Sequence, residues 1–213
     1  MNRGLILTLF ACALSAYAQQ KSQPPAPAAK PVQDLQLYRN KSFGFRYEIP
    51  FGWVDRSQKM RENDTEENEA TGKDPAAAKG EVLLAVFERP PEVTGGTINS
   101  AVVIASERLS SYPGLKKAED YLGPLSELTT SKGFKTEGDP LVIEIDGRQL
   151  VRADFSRQLS VKPTGDQLTM RQTTLILLAH GEIVSFTFIA GSGDELDNLL
   201  DNLHFAPPKS SAH

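Results

Sequence analysis

Residues 168–203 decide the fold, and they read LTMRQTTLILLAHGEIVSFTFIAGSGDELDNLLDNL. Branched and aromatic side chains fill Leu168–Ala179 and Glu182–Ala190, and such side chains pack well on a pleated surface, which predicts two strands. His180–Gly181 between them predicts a tight turn, because glycine takes positive φ without a steric penalty. Apolar residues fall on both faces of each strand. We therefore expect both strands near the middle of a sheet that is covered on two sides.

The end of this stretch predicts a helix that lies on the sheet. Ser192 and Glu195 have the spacing of a capping box, and Asp194 is an alternative N-cap. The leucines that follow recur at helical spacing and form one apolar stripe: Leu196, Leu199, Leu200 and Leu203.

Earlier in the chain, residues 43–53 read FGFRYEIPFGW, and the alternation of aromatic and polar residues predicts a half-buried strand that ends at Pro50. Trp53, the single tryptophan, has two interpretations. Its ring either lines a ligand pocket or fills one end of the core.

The segment 56–80 is crowded with acidic residues and has almost no apolar ones, so we expect an acidic, flexible insertion. It lacks the ligand spacing of a calcium loop. Beyond it, apolar runs predict strands at 81–88 and 97–108, and leucines at helical spacing predict a helical segment between Pro113 and Ser131.

Asp146–Gly147 stands between two alternating runs and predicts a hairpin with a two-residue turn. In that register three charged residues of the second strand share one face: Arg148, Arg152 and Asp154. They are candidate binding residues for an anion or a carboxylate. The alternative is a solvated ionic face that contributes little to stability.

The amino terminus predicts export. Residues 1–18 have a basic residue, an apolar core and an Ala-x-Ala site, which predicts a signal peptide cleaved between Ala18 and Gln19. Lipidation at Cys12 is the alternative. Residues 19–34 read as a Pro/Ala-rich disordered linker, 35–207 as one domain, and 208–213 as a disordered tail.

Composition and motifs narrow the chemistry. Cys12 is the only cysteine, so a cleaved chain has neither disulfides nor cysteine metal sites. The net charge of −4 argues against nucleic acid as a partner, and no transmembrane span is expected in the mature chain. The sequence lacks the zinc-hydrolase, serine-elbow and phosphate-loop motifs, so no catalytic residue, metal or cofactor is predicted. His180 is expected to be an exposed turn residue.

The aromatic strand at 43–53, the two long strands with a short turn, and the ending Leu203-His204-Phe205 resemble the PsbP-like family. That family includes the PsbP subunit of photosystem II, Ran-binding Mog proteins and DcrB-like envelope proteins. The resemblance implies an α+β fold, a single α/β/α sandwich around a mainly antiparallel sheet, and no shared enzyme activity.

Together these observations favour an exported, non-catalytic PsbP-like domain, periplasmic or secreted, that binds a protein partner in the bacterial cell envelope. The alternative is a small-molecule or lipid-binding module of the envelope, with Trp53 near a pocket. A third hypothesis is an enzyme that uses dispersed carboxylates.

Overall fold

The computed structural model describes residues 36–70, 80–93, 95–161 and 165–206, apart from the side chains of 64–70. The predicted signal peptide with Cys12, Ala18 and Gln19, the linker at 19–34 and the tail at 208–213 lie outside these residues. No helix in the described ranges has the length and apolar character needed to cross a membrane.

The described chain is built around a sheet of seven strands in which every neighbouring pair is antiparallel. In spatial order the strands are β3 (Val54–Asp55), β4 (Glu81–Phe87), β5 (Ala101–Arg108), β9 (Glu182–Ala190), β8 (Gln167–Ala179), β7 (Arg148–Ser160) and β6 (Lys135–Ile145). β9 is the central strand and β8 is its neighbour, as the opening stretch of sequence predicts. Both strands bury side chains on both faces.

A second sheet of three antiparallel strands has the order β1 (Gln36–Asn40), β2 (Phe45–Ile49) and β10 (Leu203–Phe205). Alternate residues of β2 are buried, which confirms the predicted half-buried strand. Their aromatic rings meet rings of the large sheet, for example Phe45 and Phe186 edge to face with centroids 5.0 Å apart. The two sheets pack face to face, and the side chains between them form the larger of two cores.

Helix α3 (Gly193–Leu200) covers the same side of the large sheet as the small sheet does. Ser192 is its N-cap, because the Ser192 side chain accepts a hydrogen bond from the Glu195 N–H. The Glu195 carboxylate in turn accepts the Gly191 N–H. Leu196 and Leu199 are buried beneath the helix, and the Tyr47 hydroxyl donates to the Leu199 carbonyl oxygen at 3.2 Å.

The opposite face of the large sheet carries the second core. Helix α2 (Leu122–Ser131) packs there after a 3-10 turn at Ala118–Tyr121, and it ends before Gly133, which has φ +84°. Leu125 and Phe134 meet Phe155 and other side chains of the sheet. The expected α+β class, with a sandwich around a mainly antiparallel sheet, is confirmed.

Three expectations about local structure need correction. The acidic insertion expected at 56–80 contains helix α1 (Ser57–Ala70), while 71–79 lie outside the described residues. Leu203 does not continue the α3 stripe, because the helix ends at Leu200 and Leu203 begins β10. The helical segment expected from Pro113 begins only at Ala118.

The two predicted hairpin turns are present. Asp146 and Gly147 have φ +48° and +77°, and His180 and Gly181 have φ +52° and +76°. Ile145 pairs with Arg148, Ile143 with Leu150, and Leu141 with Arg152, which is the predicted register.

Candidate functional site

Two of the predicted binding residues form an ion pair on β7. The Arg152 Nε donates to both carboxylate oxygens of Asp154, at 3.1 and 2.9 Å. The two side chains are about a quarter to a third exposed, at 26% and 30%. They lie on the same face of the sheet as Leu150, which belongs to the larger core.

Thr173 on β8 joins this pair, and the sequence did not mark it as a candidate. It is fully buried, and its hydroxyl donates to Asp154 Oδ1 at 2.5 Å. Its position directly opposite Asp154 follows from the strand register, which the sequence does not specify for β7 and β8. The Asp154 carboxylate therefore ties two strands together and holds Arg152 in one orientation.

The same polar face continues to β6. The Ser156 hydroxyl donates to a carboxylate oxygen of Glu137, and Ser156 lies two residues beyond Asp154. Arg148, the third predicted charge, takes no part in these contacts. Its Nε is buried and has no hydrogen-bond partner in the described part of the chain.

Trp53 ends a turn in which its own N–H donates to the Pro50 carbonyl oxygen at 3.2 Å. Its ring is half-buried against the larger core. This placement agrees with the interpretation that the ring fills one end of the core. The neighbouring Phe51 is 73% exposed.

A groove of about 440 Å³ opens between the β6–β7 hairpin on one side and α3 with β10 on the other, and we call it the acidic groove. Four apolar residues line it: Ile143, Ile145, Leu200 and Leu203. Six ionisable residues complete it: Glu144, Asp146, Arg152, Asp197, Asp201 and His204. Four carboxylates thus stand against one guanidinium. Arg152 is the only sequence-predicted candidate among the lining residues.

One wall of the acidic groove is fixed by Asp146. Its carboxylate accepts the Phe205 N–H at 3.0 Å and lies 3.6 Å from His204 Nδ1. The other ring nitrogen of His204 lies 3.9 Å from a Glu48 carboxylate oxygen. Asp146 therefore connects the hairpin turn to the small sheet.

Two further acids of the groove lie at the carboxyl end of α3, Asp197 in its last turn and Asp201 at its C-cap. Asp197 and Asp201 are exposed and lie four residues apart, which places them on one face of the helix. Among the described residues neither carboxylate forms an ion pair with Lys, Arg or His. Sequence reasoning missed them because it followed the leucine stripe. Their spacing of four residues beside that stripe was the available signal.

A separate polar cluster lies by the second core. The Glu107 carboxylate accepts hydrogen bonds from both the Tyr112 and Tyr121 hydroxyls, the latter at 2.6 Å. Burial and the adjacent Glu107 carboxylate raise the pKa of Tyr112 to about 12, and the same causes raise the pKa of Tyr121. The cluster fastens Tyr112 and the 3-10 turn at Ala118–Tyr121 to β5.

The described residues contain no group of three or more His, Cys, Asp or Glu side chains that would hold a metal ion. His180 is an exposed residue of the β8–β9 turn, and its ring lies 6.3 Å from that of Phe43.

Other polar contacts tie elements together, such as the Ser100 hydroxyl with the Glu195 carboxylate.

No protein-family model matches the chain, and no curated protein matches it. Several solved structures do match the chain. A PsbP (CyanoP) from Synechocystis is 15% identical, over 86% of this chain and 100% of that one, with a TM-score of 0.44. LpqN from Mycobacterium tuberculosis, described as involved in cell envelope biogenesis, is 14% identical, over 82% and 92%, with a TM-score of 0.42.

The Ran-binding protein Mog1p from Saccharomyces cerevisiae is 9% identical, over 82% of this chain and 97% of that one, with a TM-score of 0.41. The solved structures similar to this chain thus include a PsbP and a Ran-binding Mog protein. These are two of the kinds of protein that the sequence resembles.

Proposed function

We propose that this chain is an exported, non-catalytic PsbP-like domain that binds a protein partner in the bacterial cell envelope, and that the acidic groove is the binding site. The observation that carries the proposal is the composition of the groove, in which an apolar lining is surrounded by four carboxylates. Apolar area supplies binding free energy, and an excess of charge of one sign selects the partner.

The walls of the groove are held in place before any partner arrives. Asp146 is bonded to the backbone of β10, and Tyr47 is bonded to the end of α3. A site whose walls are already ordered loses less conformational entropy on binding than a mobile one. Preorganisation of this kind favours recognition of a defined partner.

The proposal that the domain is non-catalytic is supported by what the polar side chains do. Arg152, Asp154 and Thr173 join two strands, and Glu107 joins two tyrosines to the sheet. These carboxylates already accept hydrogen bonds inside the fold. Export is supported by the signal-like composition of residues 1–18, which precede the described chain.

Charge reversal in the groove tests the proposal. The full-length chain, the double variant Asp197→Lys with Asp201→Lys, and the control Glu127→Lys on α2 are each used to capture proteins from envelope extract. All three positions are exposed, and Asp197 and Asp201 lie at the carboxyl end of α3, where lysine is favourable, so the folds are expected to survive.

We expect the wild-type chain and the Glu127→Lys control to retain the same specific protein, and the double variant to lose it. Thermal transitions measured on all three confirm folding. A partner retained equally by the double variant contradicts the assignment of the groove. Repeated failure of the folded wild-type chain to retain any specific protein contradicts partner binding.

A further inference from the structure

The edge of the large sheet next to the acidic groove carries no further strand in the part of the chain that the structure describes. Among the described residues β6 pairs with β7 alone, and it is the last strand of the sheet. All of its residues from Lys135 to Val142 are exposed, and Ile143 and Ile145 are half-buried. An edge strand presents unpaired backbone N–H and C=O groups that another chain can use.

The direction of these backbone groups follows from the hairpin. The two-residue turn Asp146–Gly147 is closed by the pair of Ile145 with Arg148, and such a closing pair exchanges hydrogen bonds. Because backbone direction alternates along a strand, Ile143 also points its N–H and C=O toward β7. Val142 and Glu144 therefore point theirs outward, away from the sheet.

The usable part of the edge is short. The pairing of β6 with β7 is irregular between Glu137 and Leu141, where Gly138 has φ +65° and Pro140 has no N–H to donate. The regular part runs from Leu141 to Ile145. Irregular pairing, glycine and proline, which protect many edge strands from pairing with other chains, thus occupy only the first half of this strand.

The side chains of the regular part suit an incoming strand. Leu141 and Val142 are 48% and 55% exposed and stand on opposite faces of β6. Ile143 and Ile145 lead into the acidic groove, whose carboxylates include Glu144 at the edge itself and Asp197 on α3. An added strand would cover apolar surface and bring its own side chains beside these acids. The matching charge on that strand is positive.

We propose that Leu141–Ile145 of β6 accepts an extended segment of a protein partner as an eighth strand, and that this segment carries alternating apolar and basic residues. The inference rests on the proposed function and specifies the kind of partner. Backbone hydrogen bonds at Val142 and Glu144 hold the segment, and its lysine or arginine side chains pair with the groove carboxylates. A second copy of the chain, pairing β6 with β6, is the competing occupant.

A peptide titration tests the inference with the full-length chain. The probe is a short acetylated peptide of alternating lysine and valine, and its control replaces every lysine with glutamate. We expect the lysine peptide to bind and to protect the Val142 and Glu144 amides from hydrogen exchange. The glutamate peptide should bind at least about tenfold more weakly, because it faces four carboxylates.

Two variants separate backbone from side-chain recognition. Val142→Pro removes one outward N–H, and proline is tolerated at an outward-facing edge position, so the fold is expected to persist. It should weaken peptide binding at least about tenfold. Val142→Ala keeps the N–H and should weaken binding no more than about threefold, the cost of a few lost methyl contacts.

Each other outcome overturns the inference. If both peptides bind equally, the groove carboxylates do not select a basic segment. If Val142→Pro and Val142→Ala bind the lysine peptide equally, the peptide does not add to β6 as a strand. A concentration-dependent dimer of the free chain that Val142→Pro abolishes assigns the edge to a second copy. If groove-dependent capture of an envelope partner survives Val142→Pro, the proposed function stands and only the mode of binding is wrong.

Discussion

β9 and β6 belong to the same antiparallel sheet, yet their surroundings are opposite. β9 lies at the centre, pairs with β5 and β8, and buries Val184, Phe186 and Phe188 in the larger core. β6 lies at the edge, pairs with β7 alone among the described residues, and exposes almost every side chain. The difference shows that one sheet combines a buried centre, which supplies stability, with an edge strand whose outer backbone groups pair with no further strand among the described residues.

Truncation of a core side chain gives the largest expected effect. Phe186 is fully buried and contacts the rings of Phe45 and Phe205, so Phe186→Ala should lower the free energy of unfolding by about 3–5 kcal/mol. Val142→Ala in β6 should change it by no more than about 0.5 kcal/mol. Urea unfolding of both variants makes the measurement. Similar losses from both would break the contrast between centre and edge.

The polar contacts of β7 should have an intermediate effect. Asp154→Ala removes the acceptor of Arg152 and of the buried Thr173 hydroxyl, and we expect a loss of about 1–3 kcal/mol in the free energy of unfolding. Asp154→Asn keeps an acceptor oxygen and should cost less. Equal losses from the two variants in urea unfolding would show that the hydrogen bond to Thr173 contributes nothing.

Loss of the α3 cap should cost less again. Ser192→Ala leaves the Glu195 N–H without its acceptor, and about 1 kcal/mol of stability should be lost. Ser192→Asp restores an acceptor and should recover most of that loss. Thermal unfolding of the two variants checks the expectation, and an unchanged transition in Ser192→Ala would mean that α3 is held by Leu196 and Leu199 alone.

Alkaline pH should destabilise the face opposite to α3, where Tyr112 lies. The pKa of Tyr112 is about 12 in the folded chain and near 10 when unfolded, so the folded state binds its proton more tightly. The stabilisation is complete below pH 10 and is lost as the pH rises from 10 to 12. The urea midpoint should therefore fall over this range, and it should fall less in Tyr112→Phe. A midpoint that falls equally in both proteins contradicts the assignment.

The centre of the molecule could be predicted from sequence because burial leaves a periodic signal. β8, β9 and the cap of α3 were predicted within a residue or two, and the hairpin register at Asp146–Gly147 was correct. A strand that is buried on both faces must be apolar on both faces, and a two-residue hairpin turn needs residues that can adopt positive φ. Each requirement restricts the choice of residues.

The edge and the site could not be predicted in the same way. The first half of β6 has no buried face, so its residues show no alternation, and the sequence of α1 has no apolar stripe. Of the candidate residues, Arg152 lines the groove, and Asp154 holds the Arg152 side chain in its orientation. Trp53 packs against the core and does not line the groove. Asp146, Asp197 and Asp201 come together only through the tertiary fold.

Amide hydrogen exchange of the free full-length chain, followed by NMR, tests the open edge most directly. We expect the Phe186 and Phe188 amides to exchange only through global unfolding, and the Val142 and Glu144 amides to exchange at nearly the rate of an unstructured peptide. Strong protection of Val142 and Glu144 in the free monomer would contradict this expectation, because those groups would already have hydrogen-bond partners.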